Sequence, residues 1–153
     1  MNDQHAKVLY RHLEAENAQN LEGTLATLHP DCIFEDHATG QVWRGHAGAA
    51  DHYRQWWTTF DVTVERQADQ SAGWPDENTF IAEATWNGRH VGDFLGIAAS
   101  GRKITQRFVV IVGFRDGLMI SERFHYDLAS LLRQIGGTSI PEIASLPYST
   151  IAA

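Results

Sequence analysis

The chain has 153 residues, enough for one domain with its own core, and its 43% hydrophobic and 20% charged residues are those of a globular protein, not a disordered one. Twelve Lys and Arg against 19 Asp and Glu give a net charge of −7 with no basic cluster, which disfavours nucleic acid and anionic membranes as partners. A single cysteine, Cys32, excludes an intrachain disulfide, and the longest apolar run, near Phe108 to Phe114, is far too short to span a membrane.

Asp3 to about Gln19 carries helical periodicity: Ala6, Leu9, Leu13 and Glu16 share a face, with Val8, His12 and Ala15 beside them. Asn20 is a good N-cap for a shorter helix, Leu21 to Leu28, which His29-Pro30-Asp31 ends. Cys32 to Asp36 reads as a short strand with a polar end. Thr39-Gly40 marks a turn and Val42 to Gly45 a brief extended piece. A third helix is expected from about Ala47 to Thr58, with Ala50, Tyr53 and Trp57 at helical spacing and Trp56 widening the apolar face. Asp61 to Gln70 alternates around Val62 and Val64 as a half-buried strand does, and Gly73 to Asp76 reads as a loop. In the strand Thr79 to Gly88, Phe80, Ala82, Ala84 and Trp86 share one face. Arg89 to Ile97 continues extended, interrupted by Gly92 and Gly96.

The strongest local signal follows. Asp116-Gly117 separates two runs of β-formers, the mark of a tight hairpin. The second run, Met119 to Asp127, ends in an acid immediately before a helical pattern, Leu128 to Ile135. Residues 1–137 read as a single domain and 138–153 as a C-terminal extension. Helices first, then strands, then a closing helix, mean α+β: a curved antiparallel β-sheet wrapped around the N-terminal helices, a cone-shaped barrel with an internal pocket. The first residues lack the basic start and apolar stretch of a signal peptide, so the chain reads as soluble and cytoplasmic.

Several motifs within this order carry a resemblance. Phe34-Glu35-Asp36 follows two helices, Trp43-Arg44-Gly45 opens the third, and Gly101-Arg102-Lys103-Ile104 opens the hairpin. Asp116-Gly117-Leu118-Met119-Ile120 then leads to His125-Tyr126-Asp127 and Leu131-Leu132-Arg133-Gln134-Ile135-Gly136. Over residues 5 to 137 the chain resembles the SnoaL-like polyketide cyclases of the nuclear-transport-factor-2-like superfamily. The resemblance implies an intramolecular aldol ring closure of polyketide esters without metal or cofactor. It puts the family's aspartate on Asp127 and a histidine on His90. Asp93-Phe94 between His90 and Gly96, and the long tail, depart from the family pattern.

Asp127 is the first candidate for general acid/base: a base next to a carbonyl must have a pKa near the working pH, and a pocket walled by Trp86 and Phe108 would raise it. Its local alternative is to cap the last helix, whose first amides are unpaired. His90, with the parity of Trp86, either enters the pocket to stabilise an enolate or sits at the rim. His125 shares parity with Arg123 and Asp127, while Glu122, Phe124 and Tyr126 face the other way, and either set can line the cavity. Arg107, Asp36 and His37 are candidates for substrate binding, as are Tyr53, Trp57, Trp86 and Phe108 for a flat apolar or aromatic ligand. His46 and His52, or His5 and His12, lack the spacing and further ligands of a metal site, and no nucleotide fingerprint or serine elbow occurs, so no cofactor is expected. The expected function is a cofactor-independent cyclase or isomerase working as a homodimer or higher homo-oligomer. The rivals are a non-catalytic small-molecule binding protein on the same scaffold, and an epoxide hydrolase needing two carboxylates bridged by Arg.

Overall fold

A computed structural model describes residues 3–137. The expected C-terminal extension lies outside the described residues. Helix α1 runs over Asp3–Asn17 and α2 over Leu21–Leu25, capped by the Asn20 side chain, which accepts from the Gly23 amide. Strand β1 is Leu28–Asp36 and β2 Val42–Arg44; helix α3 spans Gly45–Phe60. Strands β3 (Thr63–Glu65), β4 (Ala72–Asp76), β5 (Thr79–Arg89), β6 (Lys103–Arg115) and β7 (Leu118–Tyr126) follow, then helix α4, Leu128–Gln134.

The α+β class with a curved sheet on N-terminal helices is as expected, with two differences in the sheet. Its order is β2-β1-β7-β6-β5-β3, with β4 also on β5, and β1 runs parallel to β7, from which β2, α3 and β3 to β6 separate it along the chain. The sheet is therefore mixed, and it ends in free edges instead of closing as a barrel. Gly73 to Asp76 forms strand β4 where a loop is expected; Pro75 is tolerated because this strand lies at an edge. Conversely, the strand expected over Asp61 to Gln70 is only three residues long, and Arg89 to Ile97 leaves the sheet after Arg89.

The hairpin decides which side chains face inward. Asp116 and Gly117 both have positive φ, 53° and 76°, the backbone of a two-residue type I′ turn. Arg115 pairs Leu118 and Phe114 pairs Met119, but beyond them the register slips by one, to Gly113↔Ser121 and Val112↔Glu122. Ile120 is the extra residue of a β-bulge. A one-residue slip exchanges the two faces of a strand, so Glu122 and Phe124 point into the core while Arg123 and His125 are exposed.

The core is aromatic. Trp86 stacks on Phe108 with ring centroids 4.0 Å apart and on Trp56 at 4.6 Å, which joins β5, β6 and α3 in one slab. Gly88 permits this closeness: a Cβ there would lie 2.3 Å from the Phe60 carbonyl oxygen.

Candidate active site

Between α1 and the inner face of the sheet lies a cavity of about 270 Å³. Its sheet wall is Phe80, Ala82, Ala84 and Trp86 of β5, the face the alternation in the sequence picks out, with Phe108 and Val110 of β6 and Phe124 of β7 beside it. Ala82 and Ala84 explain why there is room: two small side chains in the centre of a wall of large ones leave space that the helix above does not fill. The opposite wall is the periodic face of α1, Ala6, Leu9, Leu13 and Glu16.

Two acids open into this apolar space. Glu122 is 6% exposed, and Glu16 has 19% of its side chain accessible. Both approach one imidazole nitrogen, His12 Nε2, at 3.8 Å from Glu122 Oε1 and 3.9 Å from Glu16 Oε2. The Tyr53 hydroxyl from α3 completes the cluster, 2.9 Å from His12 Nε2 and 3.2 Å from Glu122 Oε2. His12 Nδ1 lies 2.6 Å from the Thr27 hydroxyl, which itself donates to the Thr24 carbonyl.

Burial dominates the electrostatics. Desolvation holds the Glu122 carboxyl well above the ordinary carboxylate range, with Glu16 adding to the effect, and lifts Glu16 to about 7. His12 is lowered to about 4 by the same cause, so its imidazole is neutral at pH 7. Burial, with Glu122 beside it, holds the Tyr53 hydroxyl well above its ordinary value. Near neutral pH the pair of carboxyls therefore holds at least one proton, giving an acid and a base in the same mostly apolar chamber.

The family profile of the SnoaL-like polyketide cyclases matches residues 6–135. The chain belongs to that family. As a SnoaL-like protein it carries a cyclase- or isomerase-type enzymatic role. TsrD from Streptomyces laurentii is 27% identical, with TM-score 0.74 over 90% of this chain and 98% of that one. A Xanthomonas campestris protein described as a polyketide cyclase is 19% identical (TM-score 0.76, 87% of this chain, 97% of that). A Catenulispora acidiphila protein with a ketosteroid isomerase-like fold, in complex with trimethylamine, is 18% identical (TM-score 0.70, 84% and 92%) and shares the fold. No curated protein matches the sequence.

Of the residues singled out in the sequence, Trp86 and Phe108 line the cavity and Tyr53 touches Glu122, while Trp57 stands one layer behind, stacked on Tyr53 at 5.5 Å. The others lie elsewhere. Asp127 is exposed and caps α4, its Oδ1 accepting from the Ser130 amide at 3.0 Å: the capping role prevails because the bulge in β7 turns its parity outward. His90 is fully buried, but behind Phe60, with Nδ1 accepting from the Ser100 amide. Arg107 points outward and pairs with Asp69 at 3.1 Å, both exposed. Asp36 is buried for a structural reason: it accepts from the amides of Ala38 and Thr39 and from the Tyr126 hydroxyl. His37 and His125 stack on each other on the outer face, centroids 4.3 Å apart. An Arg-bridged carboxylate pair, as epoxide hydration would need, is therefore not what Arg107 forms with Asp127 and with Asp36 or Glu122; in the cavity His12 stands between Glu16 and Glu122. Among the described residues no group of His, Cys, Asp and Glu is arranged to hold a metal ion, and no helix is long and apolar enough to cross a membrane.

Sequence reasoning passed over Glu16, His12 and Glu122 as the chemical centre. Glu16 carried a usable signal, an acid in register with Ala6, Leu9 and Leu13 on an apolar helix face.

Proposed function

We propose that the cavity performs cofactor-independent proton transfer next to a carbonyl of a small, mostly apolar substrate, in an isomerisation or an intramolecular aldol-type ring closure. The observation that carries this reading is the pair of carboxyls, Glu122 buried and Glu16 partly buried, opening into one apolar chamber. Glu16, with a value of about 7, is poised as the base. It takes the acidic proton, and the electron pair moves onto the carbonyl oxygen, which accepts a hydrogen bond from the Glu122 carboxylic acid, whose one hydrogen turns from the Tyr53 oxygen to the substrate. The enolate carbon then either regains a proton at a different position or attacks a second carbonyl. In the second case a carbon–carbon bond forms, and the new alkoxide takes the proton back from Glu16. The base contributes on the order of 10²- to 10⁴-fold and the preorganised donor about 10²- to 10³-fold.

Size narrows the substrate class. An apolar cavity of about 150 Å³ holds one benzene; the space here, about 270 Å³, suits one or two fused rings of a polyketide-like aromatic compound. The test is deuterium incorporation at the α-carbon of one- and two-ring aryl ketones in D2O, followed by NMR. The wild type is expected to accelerate exchange and Glu16→Gln to abolish the acceleration; ketones that bind and exchange no faster than in buffer would overturn the proposal. A homodimer or higher oligomer belongs to the same reading, through the outer sheet face where Ile81 and Ile111 are cross-strand neighbours and Ile81 is 37% exposed. Sedimentation of Ile81→Lys as a monomer beside a wild-type oligomer supports it, and a monomeric wild type removes it.

A further inference from the structure

The Tyr53 hydroxyl has one hydrogen and two neighbours in reach, His12 Nε2 at 2.9 Å and Glu122 Oε2 at 3.2 Å. Its direction is settled two residues further back. The Thr27 hydroxyl donates to the Thr24 carbonyl at 2.6 Å, so its oxygen is left as an acceptor, and the group 2.6 Å from that oxygen is His12 Nδ1. The imidazole hydrogen therefore sits on Nδ1. With His12 only 2% exposed, a second hydrogen on the ring is strongly disfavoured, and Nε2 presents a bare lone pair. That lone pair takes the Tyr53 hydrogen across the shorter of the two contacts. The Tyr53 oxygen is then an acceptor towards Glu122, and a carboxyl can donate to it only while it carries its own proton.

We propose that His12 is a positioning residue: a neutral acceptor that turns the Tyr53 hydroxyl away from Glu122, so that Glu122 stands as a carboxylic acid. The inference deepens the proposed acid role of Glu122 and rests on that reading for its catalytic meaning. Every donor along Glu122, Tyr53, His12, Thr27 and the Thr24 carbonyl points the same way, with one hydrogen per link. The competing arrangement reads the 3.8 and 3.9 Å approaches of Glu122 and Glu16 as ion pairs with an imidazolium. It differs by one net proton shift: the Tyr53 hydrogen moves to His12 Nε2 and the Glu122 proton moves to Tyr53, leaving a carboxylate. The groups around His12 are Glu16 on its own helix, Tyr53 and His52 from α3, and Glu122 from β7. Cys32 of β1 interacts with the Glu122–Tyr53 pair, and Arg66 lies at the cavity wall. Helix α2 and the turn after it contribute only the Thr24 carbonyl and the Thr27 hydroxyl.

The two arrangements predict opposite outcomes. In two-bond proton–nitrogen correlation spectra of ¹⁵N-labelled wild type, His12 is expected as the neutral Nδ1–H tautomer from pH 8 down to about 5. An imidazolium or an Nε2–H tautomer at pH 7 would overturn the proposal. In His12→Leu, the Tyr53 hydrogen is released to Glu122 and stabilises its carboxylate, so the Glu122 midpoint, read from ¹³C-labelled glutamate and assigned with Glu122→Gln, moves down by about one unit. An upward move, as expected when a cation is removed, would contradict it. If His12→Leu does not fold, the wild-type spectrum decides alone. That spectrum is independent of turnover, so an imidazolium sinks this inference only, whereas full activity in Glu122→Gln sinks the acid role and leaves the tautomer standing.

Discussion

Replacing Glu122 by Gln keeps the size of the side chain and removes its titration, which turns the electrostatics of the cavity into a stability measurement. In the folded chain burial raises both Glu122 and Glu16 above the 4.5 of an ordinary glutamate. The native state thus holds protons that the unfolded chain releases; this stabilisation is complete below about pH 4.5 and is lost as the pH rises towards the folded values. His12 and His52 act in the opposite sense. Desolvation lowers them from 6.5 to about 4 and about 3, so their contribution is complete above pH 6.5 and is lost as the pH falls. Between about pH 4.5 and 6.5 the lowered histidines, His90 and His125 among them, gain while the raised carboxyls, Asp36 among them, lose, so the contributions oppose one another. Above that range the histidines are silent and Glu16 finishes near 7, so any further loss reports Glu122, which burial holds well above the ordinary carboxylate range. Each pH unit over which Glu122 keeps its proton costs about 1.4 kcal/mol. Urea unfolding at pH 6.5 and pH 8 should therefore show wild type losing up to about 2 kcal/mol more than Glu122→Gln. Parallel curves from pH 6.5 to 8 would mean that Glu122 is already ionised in the folded chain, and the reasoning would fail.

Two further substitutions probe the frame. Ala84→Leu places three carbons into the cavity floor and should weaken binding of a two-ring ketone at least tenfold by titration calorimetry, while stability changes by less than about 1.5 kcal/mol because the space already exists. Gly88→Ala forces a Cβ to within 2.3 Å of the Phe60 carbonyl oxygen and should destabilise by about 1 to 3 kcal/mol in the same unfolding assay; an unchanged midpoint would show that α3 and β5 are not held as close as described.

Much of the fold was legible. The Asp-Gly turn located the hairpin, and the alternation Phe80, Ala82, Ala84, Trp86 named the inner face of β5. The site was less so, and one residue accounts for most of the difference. Without the bulge at Ile120, the two-residue turn would pair Val110 with Arg123 and Phe108 with His125, and Asp127 would follow them towards the cavity. With it, Val110 pairs Phe124 and Phe108 pairs Tyr126, and Glu122 takes the interior place. No local pattern announces that slip. Once Asp127 faces outward, the unpaired amides of α4 claim it. Glu16 was hidden for a different reason: an acid on an apolar helix stripe is odd, but only the sheet opposite reveals that the stripe faces a void.

Turnover of Glu122→Gln and Asp127→Asn, compared on the aryl ketone that the wild type exchanges fastest, bears most directly on where the chemistry happens. Asn caps a helix as well as Asp does, so Asp127→Asn should stay within a few fold of wild type while Glu122→Gln falls by about 10²-fold or more. A collapse in Asp127→Asn with Glu122→Gln unharmed would move the active site out of this cavity.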